Sequence, residues 1–232
     1  MCPSQPAKET ASISVYSGSS QSRTDSWLSD TDANFLLKKQ AELAMQQKDY
    51  ERALRLLNRL MVYEPDKAEH YNNLGLIYYA IKQWKKAEAN YNWAIALNPD
   101  QDRTYNNRAN LYAVRQNWAD AIADYDTAID LNPLNIRARL NQAITFREMG
   151  EYEEALVCLD VALIFVGSSD RDNFLIASIY AERGRTHHLQ GSWNCALADY
   201  KAVLSLSMND AITHRVIKWS AALTQPYSIS ID

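Results

Sequence analysis

An all-α solenoid of stacked helix pairs is the fold this sequence predicts, and three observations predict it. Pro65, Pro99 and Pro133 fall 34 residues apart, and each closes a run ending Tyr-Glu-Pro or Leu-Asn-Pro. Around them the same kinds of residue recur at the same distances. With 6 glycines and 6 prolines in 232 residues, little interrupts a helix. An internal period of this length dictates the architecture, because each unit buries its apolar face only against its neighbours. It also places function on the surface that the stacked units build, not in a catalytic pocket.

The elements follow when each unit is numbered so that its proline is position 32. Position 8 is Ala41, Gly75, Ala109 and Ala143, and position 20 is Ala53, Ala87, Ala121 and Ala155. Position 27 is Leu60, Ala94, Ala128 and Ala162. These mostly small residues let helices approach closely. Larger ones fill the gaps: Ala44, Tyr78, Tyr112 and Phe146 at position 11, Tyr50, Trp84, Trp118 and Tyr152 at 17, and Leu57, Tyr91, Tyr125 and Leu159 at 24. Two helices per unit result, joined by short polar turns such as Ala80-Ile81-Lys82-Gln83. Units are expected near 34–67, 68–101, 102–135 and 136–167. A fifth, near 177–210, carries Tyr180, Gly184, His187, Trp193, Ala196, Tyr200 and Val203 in register. It starts seven residues late, and Phe174, Leu175 and Ile176 are expected to lengthen its first helix by about two turns. Ser168-Ser169-Asp170 supplies a turn and N-cap ahead of it. Residues 211–223 predict a helix that covers the open end of the array, as terminal units require.

Two tails flank this core. Residues 1–30 are rich in Ser, Thr and Gln and cannot bury enough apolar surface to offset their ordering entropy, so a disordered tail is expected. Ser29-Asp30-Thr31-Asp32 then offers N-cap residues for a first helix. Residues 224–232 are expected to form a second loose tail.

Composition narrows the function classes. The formal net charge of −4 disfavours nucleic acid as a partner, since that requires a basic surface. No apolar run approaches the roughly 18 residues that span a bilayer, so integral insertion is not expected. Cys2, Cys158 and Cys195 are too few and too scattered for a disulfide framework, and a reducing cytoplasmic compartment fits them, with peripheral attachment to a membrane left open.

Residues 71–99 carry a family likeness. Tyr71-x2-Leu74-Gly75-x2-Tyr78, followed by Ala87, Tyr91, Ala94 and Pro99, resembles the tetratricopeptide repeat. The resemblance covers about Asn34 to Met208. It implies five repeats plus a C-terminal capping helix wound into a right-handed superhelix, with the first helix of each unit on the concave face. It further implies a concave surface drawn from positions 2, 5, 6, 9, 12 and 13. That surface includes Asn72, Asn73 and Tyr79 from the second unit and Arg103, Asn106, Asn107 and Asn110 from the third. From the fourth come Arg137, Asn141 and Arg147.

Within that surface position 6 is the most informative. Asn73, Asn107 and Asn141 recur with the repeat, although asparagine is a poor residue inside a helix. An amide offers both a donor and an acceptor, so a ladder of them suits the backbone of an extended peptide. These side chains are expected to face solvent in the unliganded protein. Arg103, Arg137 and Arg147 suit carboxylates or phosphates on the ligand. Family members that hold chaperone C-terminal tails use five polar residues over three units. Lys38, Asn73 and Arg103 would suit, but Glu42 would repel the carboxylate and Asn107 stands where a cation belongs, so such tails are disfavoured.

Other residues look chemical without forming a site. His187 and His188 are adjacent and point to different helix faces, and His187 sits at a core position, so no metal is expected. Asp120, Asp124, Asp126 and Asp130 read as the solvated face of a second helix. No phosphate-binding glycine loop and no nucleophile elbow is present, so neither a cofactor nor catalysis is expected. The expected function is a non-catalytic scaffold that binds an extended segment of another protein in its concave groove. The alternatives are an assembly factor for a membrane complex, for example a photosynthetic one, and a regulatory subunit of an enzyme.

Overall fold

The computed structural model describes residues 30–166, 173–206 and 211–224. Both tail expectations and the Ser168-Ser169-Asp170 turn therefore lie outside the described residues, save for the helical ends at Asp30 and Thr224. Among the described residues all regular structure is helical. The order is α1 (Asp30–Gln46), α2 (Tyr50–Tyr63), α3 (Ala68–Ala80), α4 (Trp84–Leu97), α5 (Asp102–Val114) and α6 (Trp118–Leu131). Then come α7 (Ile136–Met149), α8 (Tyr152–Phe165), α9 (Asn173–Gln190), α10 (Trp193–Ser205) and α11 (Ala211–Thr224). Each helix packs on the next along the chain, and α3, α5, α7 and α9 also touch one another in sequence. That is a helix-turn-helix solenoid.

Every first helix in the five pairs ends the same way. The residue at position 15 takes the left-handed conformation: Lys48, Lys82 and Gln116 at φ 60°, and Gly150 and Gly191 at φ 88°. Its N–H bonds back three residues, as Lys82 does to Tyr79 O at 3.0 Å. The next N–H bonds back five, as Gln83 does to Tyr78 O at 2.8 Å. This pair of bonds satisfies the last carbonyls of the helix and reverses the chain in four residues. Asp49 and Asn135 cap α2 and α7, accepting from the amides of Arg52 at 3.1 Å and Ala138 at 3.0 Å.

The core is the line of small and large positions read from the repeat. Ala53, Ala87, Ala121, Ala155 and Ala196 are fully buried at the crossings, beneath Leu57, Tyr91, Tyr125, Leu159 and Tyr200. At the C-terminal end Ile212 and Val216 of α11 join Ala177, Ala181, Tyr200 and Val203. Two expectations need correction. Helix α9 begins at Asn173, so among the described residues it extends one turn ahead of Ala177, not two. And Asp124 is buried, unlike its exposed neighbours Asp120, Asp126 and Asp130. Arg108 grips it with two hydrogen bonds, Nε to Oδ2 at 2.7 Å and Nη2 to Oδ1 at 2.8 Å. That grip holds the Arg108 guanidinium pKa above its usual range, even against burial. Arg183 and Asp199 repeat the same fork one array end later, at 2.9 and 2.6 Å.

Candidate functional site

A groove of about 930 Å³ runs across the first helices. Helix α3 contributes Asn72, Asn73 and Leu76, and α5 contributes Asp102, Arg103, Asn106, Asn107 and Asn110. Helix α7 adds Ile136, Arg137, Leu140 and Asn141, and the loop before it adds Asn132, Leu134 and Asn135. One wall comes from α9, with Phe174 and Leu175 in its extra turn and Ser178 just beyond it. The sequence pattern flagged that extra turn but carried no sign of which way it faced, because repeat register ends where the insertion begins.

The asparagines do something other than face solvent. Asn141 Nδ2 donates to Asn106 Oδ1 at 3.0 Å, and Asn107 Nδ2 donates to Asn72 Oδ1 at 2.9 Å. A longer bond of 3.4 Å from Asn106 to Asn107 joins the two pairs. Position 6 of one helix thus reaches position 5 of the helix before it, and the amides stitch α3, α5 and α7 together. Asn72 is buried in consequence. The recurrence of asparagine inside these helices has a packing reason after all. The Asn73 side chain stands outside the chain of amides and makes no hydrogen bond among the described residues. Asn110 is half spent, since its Oδ1 accepts from the Tyr125 hydroxyl at 2.6 Å.

The charges divide in the same manner. The Arg147 side chain, 10% exposed, lies against Glu182, with a second bond to Glu148 Oε1 at 3.0 Å. Burial works against this cation, yet Glu182 outweighs it and holds the guanidinium pKa above its usual range. Glu182 occupies position 6 of the fifth unit, where the ladder has asparagine, and Arg215 of α11 approaches it at 3.6 Å. Arg147 is therefore a tie between α7 and α9 rather than a groove cation. Tyr79 also leaves the groove, packing its ring at 5.6 Å from Trp84. Lys38 pairs with Glu69 at 2.7 Å. Asp102 is held by the amides of Asn132 at 2.8 Å and Asn135 at 2.9 Å. Arg103 and Arg137 are exposed in the groove and have neither ion pair nor ring contact among the described residues.

No cluster of three His, Cys, Asp or Glu side chains that could hold a metal ion occurs among the described residues. Cys158 and Cys195 carry free thiols, and burial pushes the Cys158 thiol up to about 11. No helix among the described residues is long and apolar enough to cross a membrane.

Three tetratricopeptide repeat profiles match the chain, at residues 40–106, 103–135 and 124–157. The chain belongs to the tetratricopeptide repeat family. The fifth helix pair, α9 and α10, lies beyond the matched residues. No curated protein matches the sequence. Among solved structures the tetratricopeptide array is similar to PilW, described as a widely conserved type IV pilus biogenesis factor, with a TM-score of 0.67 and 21% identity over 82% of this chain and 88% of that one. It is similar to pilF of Pseudomonas aeruginosa, with a TM-score of 0.67 and 16% identity over 83% and 89%. MamA gives a TM-score of 0.58 and 17% identity over 76% and 92%. At these identities the likeness is one of fold.

Proposed function

We propose that this tetratricopeptide array is a protein-binding scaffold that receives an extended segment of a partner in the groove of its first helices. One observation carries the reading. The groove is open and lined by polar side chains without partners among the described residues, Asn73, Arg103 and Arg137, on a floor where the other amides bond to one another. A floor fixed before binding lowers the ordering cost of association. Asn73 is suited to one backbone N–H and C=O of the ligand, and the arginines to its side chains. Asn107 and Asn141 act on the ligand through the shape of the floor.

An assembly role at a membrane complex is a narrower version of the same activity. PilW is described as a pilus biogenesis factor, and that description belongs to PilW. A photo-crosslinking residue placed at Asn110, in the groove, and separately at Asp126, on the exposed side of α6, tests the reading in cells. Adducts from position 110 alone, mapping to one extended stretch of the partner, are expected. Adducts from position 126 alone would move the binding surface to the second helices.

A further inference from the structure

Resting on that reading, we infer that the groove selects an internal acidic segment carrying a large apolar side chain. Charge comes first. The protein is net negative at −4, yet the charged residues that line the groove are two unpaired arginines and Asp102. Asp102 is already bound by two amides of its own chain. Elsewhere along the first helices Lys38 pairs with Glu69, Lys39 with Glu42 and Arg147 with Glu182, while Arg139 and Arg185 lie over the rings of Phe165 and Trp219. A local cationic spot inside an acidic surface draws carboxylates and turns basic segments away.

Spacing comes second. Arg103 and Arg137 hold the same position on α5 and α7, which pack against each other. Axes of packed helices lie about 8–10 Å apart. An extended chain rises about 3.3 Å per residue. Two acidic residues two or three apart therefore reach both guanidinium groups, each of which can take a carboxylate in a forked pair. A single chain terminus would satisfy only one of them.

The third feature is the apolar wall. Leu134 is 66% exposed and Phe174 is 56% exposed at the α9 end of the groove. Both line it beside Leu175 and Leu140. Phe174 belongs to the turn of α9 that the repeat does not require, so this wall is particular to the junction of the fourth and fifth units. The order across the groove is Asn73, Arg103, Arg137, then Phe174. The matching ligand has an acidic pair followed, in one chain direction or the other, by a bulky apolar residue.

The test uses the full chain and fluorescent 12-residue peptides with both ends capped, so that no terminal carboxylate contributes. One peptide carries two glutamates two apart and a phenylalanine three residues beyond, and a second carries the reverse order. Controls replace both glutamates by glutamine or by lysine, and the phenylalanine by serine. Anisotropy should show one glutamate peptide binding at least tenfold more tightly than its glutamine form, with the difference shrinking as salt is raised. Arg103→Glu with Arg137→Glu should erase that preference and favour the lysine form. Phe174→Ser should erase the preference for phenylalanine and leave the glutamate preference in place. Equal binding of the glutamate and glutamine forms, or no binding of either order, overturns the acidic selection. A preference that survives the double arginine change overturns it too. The groove reading fails separately, if Leu140→Trp, which fills the groove, leaves peptide binding untouched while circular dichroism shows an intact helical array.

Discussion

The second and third helix pairs share a length, a plan and a buried tyrosine, Tyr91 in α3/α4 and Tyr125 in α5/α6, and differ at two positions linked to it: Gly75 and Leu76 in the one, Ala109 and Asn110 in the other. Both tyrosines are buried to within about one per cent. The Tyr125 hydroxyl donates to Asn110 at 2.6 Å. The Tyr91 hydroxyl is buried with no hydrogen-bond partner among the described residues, because Leu76 stands where α5 has the accepting Asn110. Burial drives the hydroxyl pKa of both upward, so both stay protonated donors. The glycine follows the same logic. A Cβ at Gly75 would lie 2.5 Å from Tyr91 Cδ1, so the ring rests directly on the backbone of α3. The two pairs show that a repeat conserves volume more strictly than polarity: the ring is kept where its hydroxyl has nowhere to go.

The largest expected effect comes from the glycine. Gly75→Ala forces a fully buried aromatic ring to move and should destabilise the array by about 1–3 kcal/mol. Tyr91→Leu in the same chain should recover most of that loss, because Ala143 with Leu159 is the combination that α7/α8 already uses. Urea unfolding of the two single variants and the double variant measures the coupling. An additive double variant would show that ring and backbone are not in the conflict described.

Next in size are the hydroxyls themselves. Tyr91→Phe removes a buried donor that has no acceptor, and should stabilise by about 1 kcal/mol, within the range for an unsatisfied polar group. Tyr125→Phe removes a made bond and strands the Asn110 acceptor at the edge of the groove. It should destabilise by about 0.5–1.5 kcal/mol. Opposite signs from the same chemical change are the point, and thermal unfolding reads them. If both changes destabilise, Tyr91 has a partner in solution, and the contrast between the two pairs disappears.

How much of this was legible in the residues follows from what repeats and what does not. The helix pairs, their crossings and the tyrosine positions recur at a fixed period, so they could be read directly. The groove's cations Arg103 and Arg137 were legible for the same reason. The partners of side chains were not, because hydrogen bonds run between units, at separations such as 35 residues from Asn107 to Asn72. Asp124 reads as solvated for a different reason: its neighbours on α6 are exposed, and only the fork from Arg108, 16 residues back on the first helix of the same unit, shows otherwise. The repeat pattern places Arg147 in the groove because Glu182, its partner, sits in the one unit that is out of register. At Gly150 and Gly191 glycine supplies the left-handed turn. At Lys48, Lys82 and Gln116 a side chain tolerates the same φ, so composition gave no sign.

The smallest expected effect uses the fifth pair, where Gly184 and Tyr200 repeat the glycine–tyrosine choice of α3/α4. Here the hydroxyl meets His188 Nδ1 at 3.4 Å, and the imidazole also packs edge-on to Trp193 at 5.3 Å. The contact makes the satisfaction of this tyrosine depend on pH. Burial first, and the Arg185 charge second, hold the His188 pKa below the ordinary imidazole range. At neutral pH the ring is uncharged, and its Nδ1 can accept from Tyr200. The unfolded chain binds this proton more readily than the folded one, so the contribution is full above the unfolded value of about 6.5. It is lost as pH falls toward and through the depressed folded value, where a protonated Nδ1 would itself be a donor facing a donor. The bond is long, so the loss should be about 0.5 kcal/mol or less. It should appear as the difference between wild type and His188→Gln in unfolding free energy, measured at steps from pH 7.5 down to 5.5. Wild type should lose stability across that interval relative to the variant. Parallel curves would mean that Tyr200 is satisfied by another group, and that the fifth pair has escaped the conflict seen at Tyr91 by a route other than its histidine.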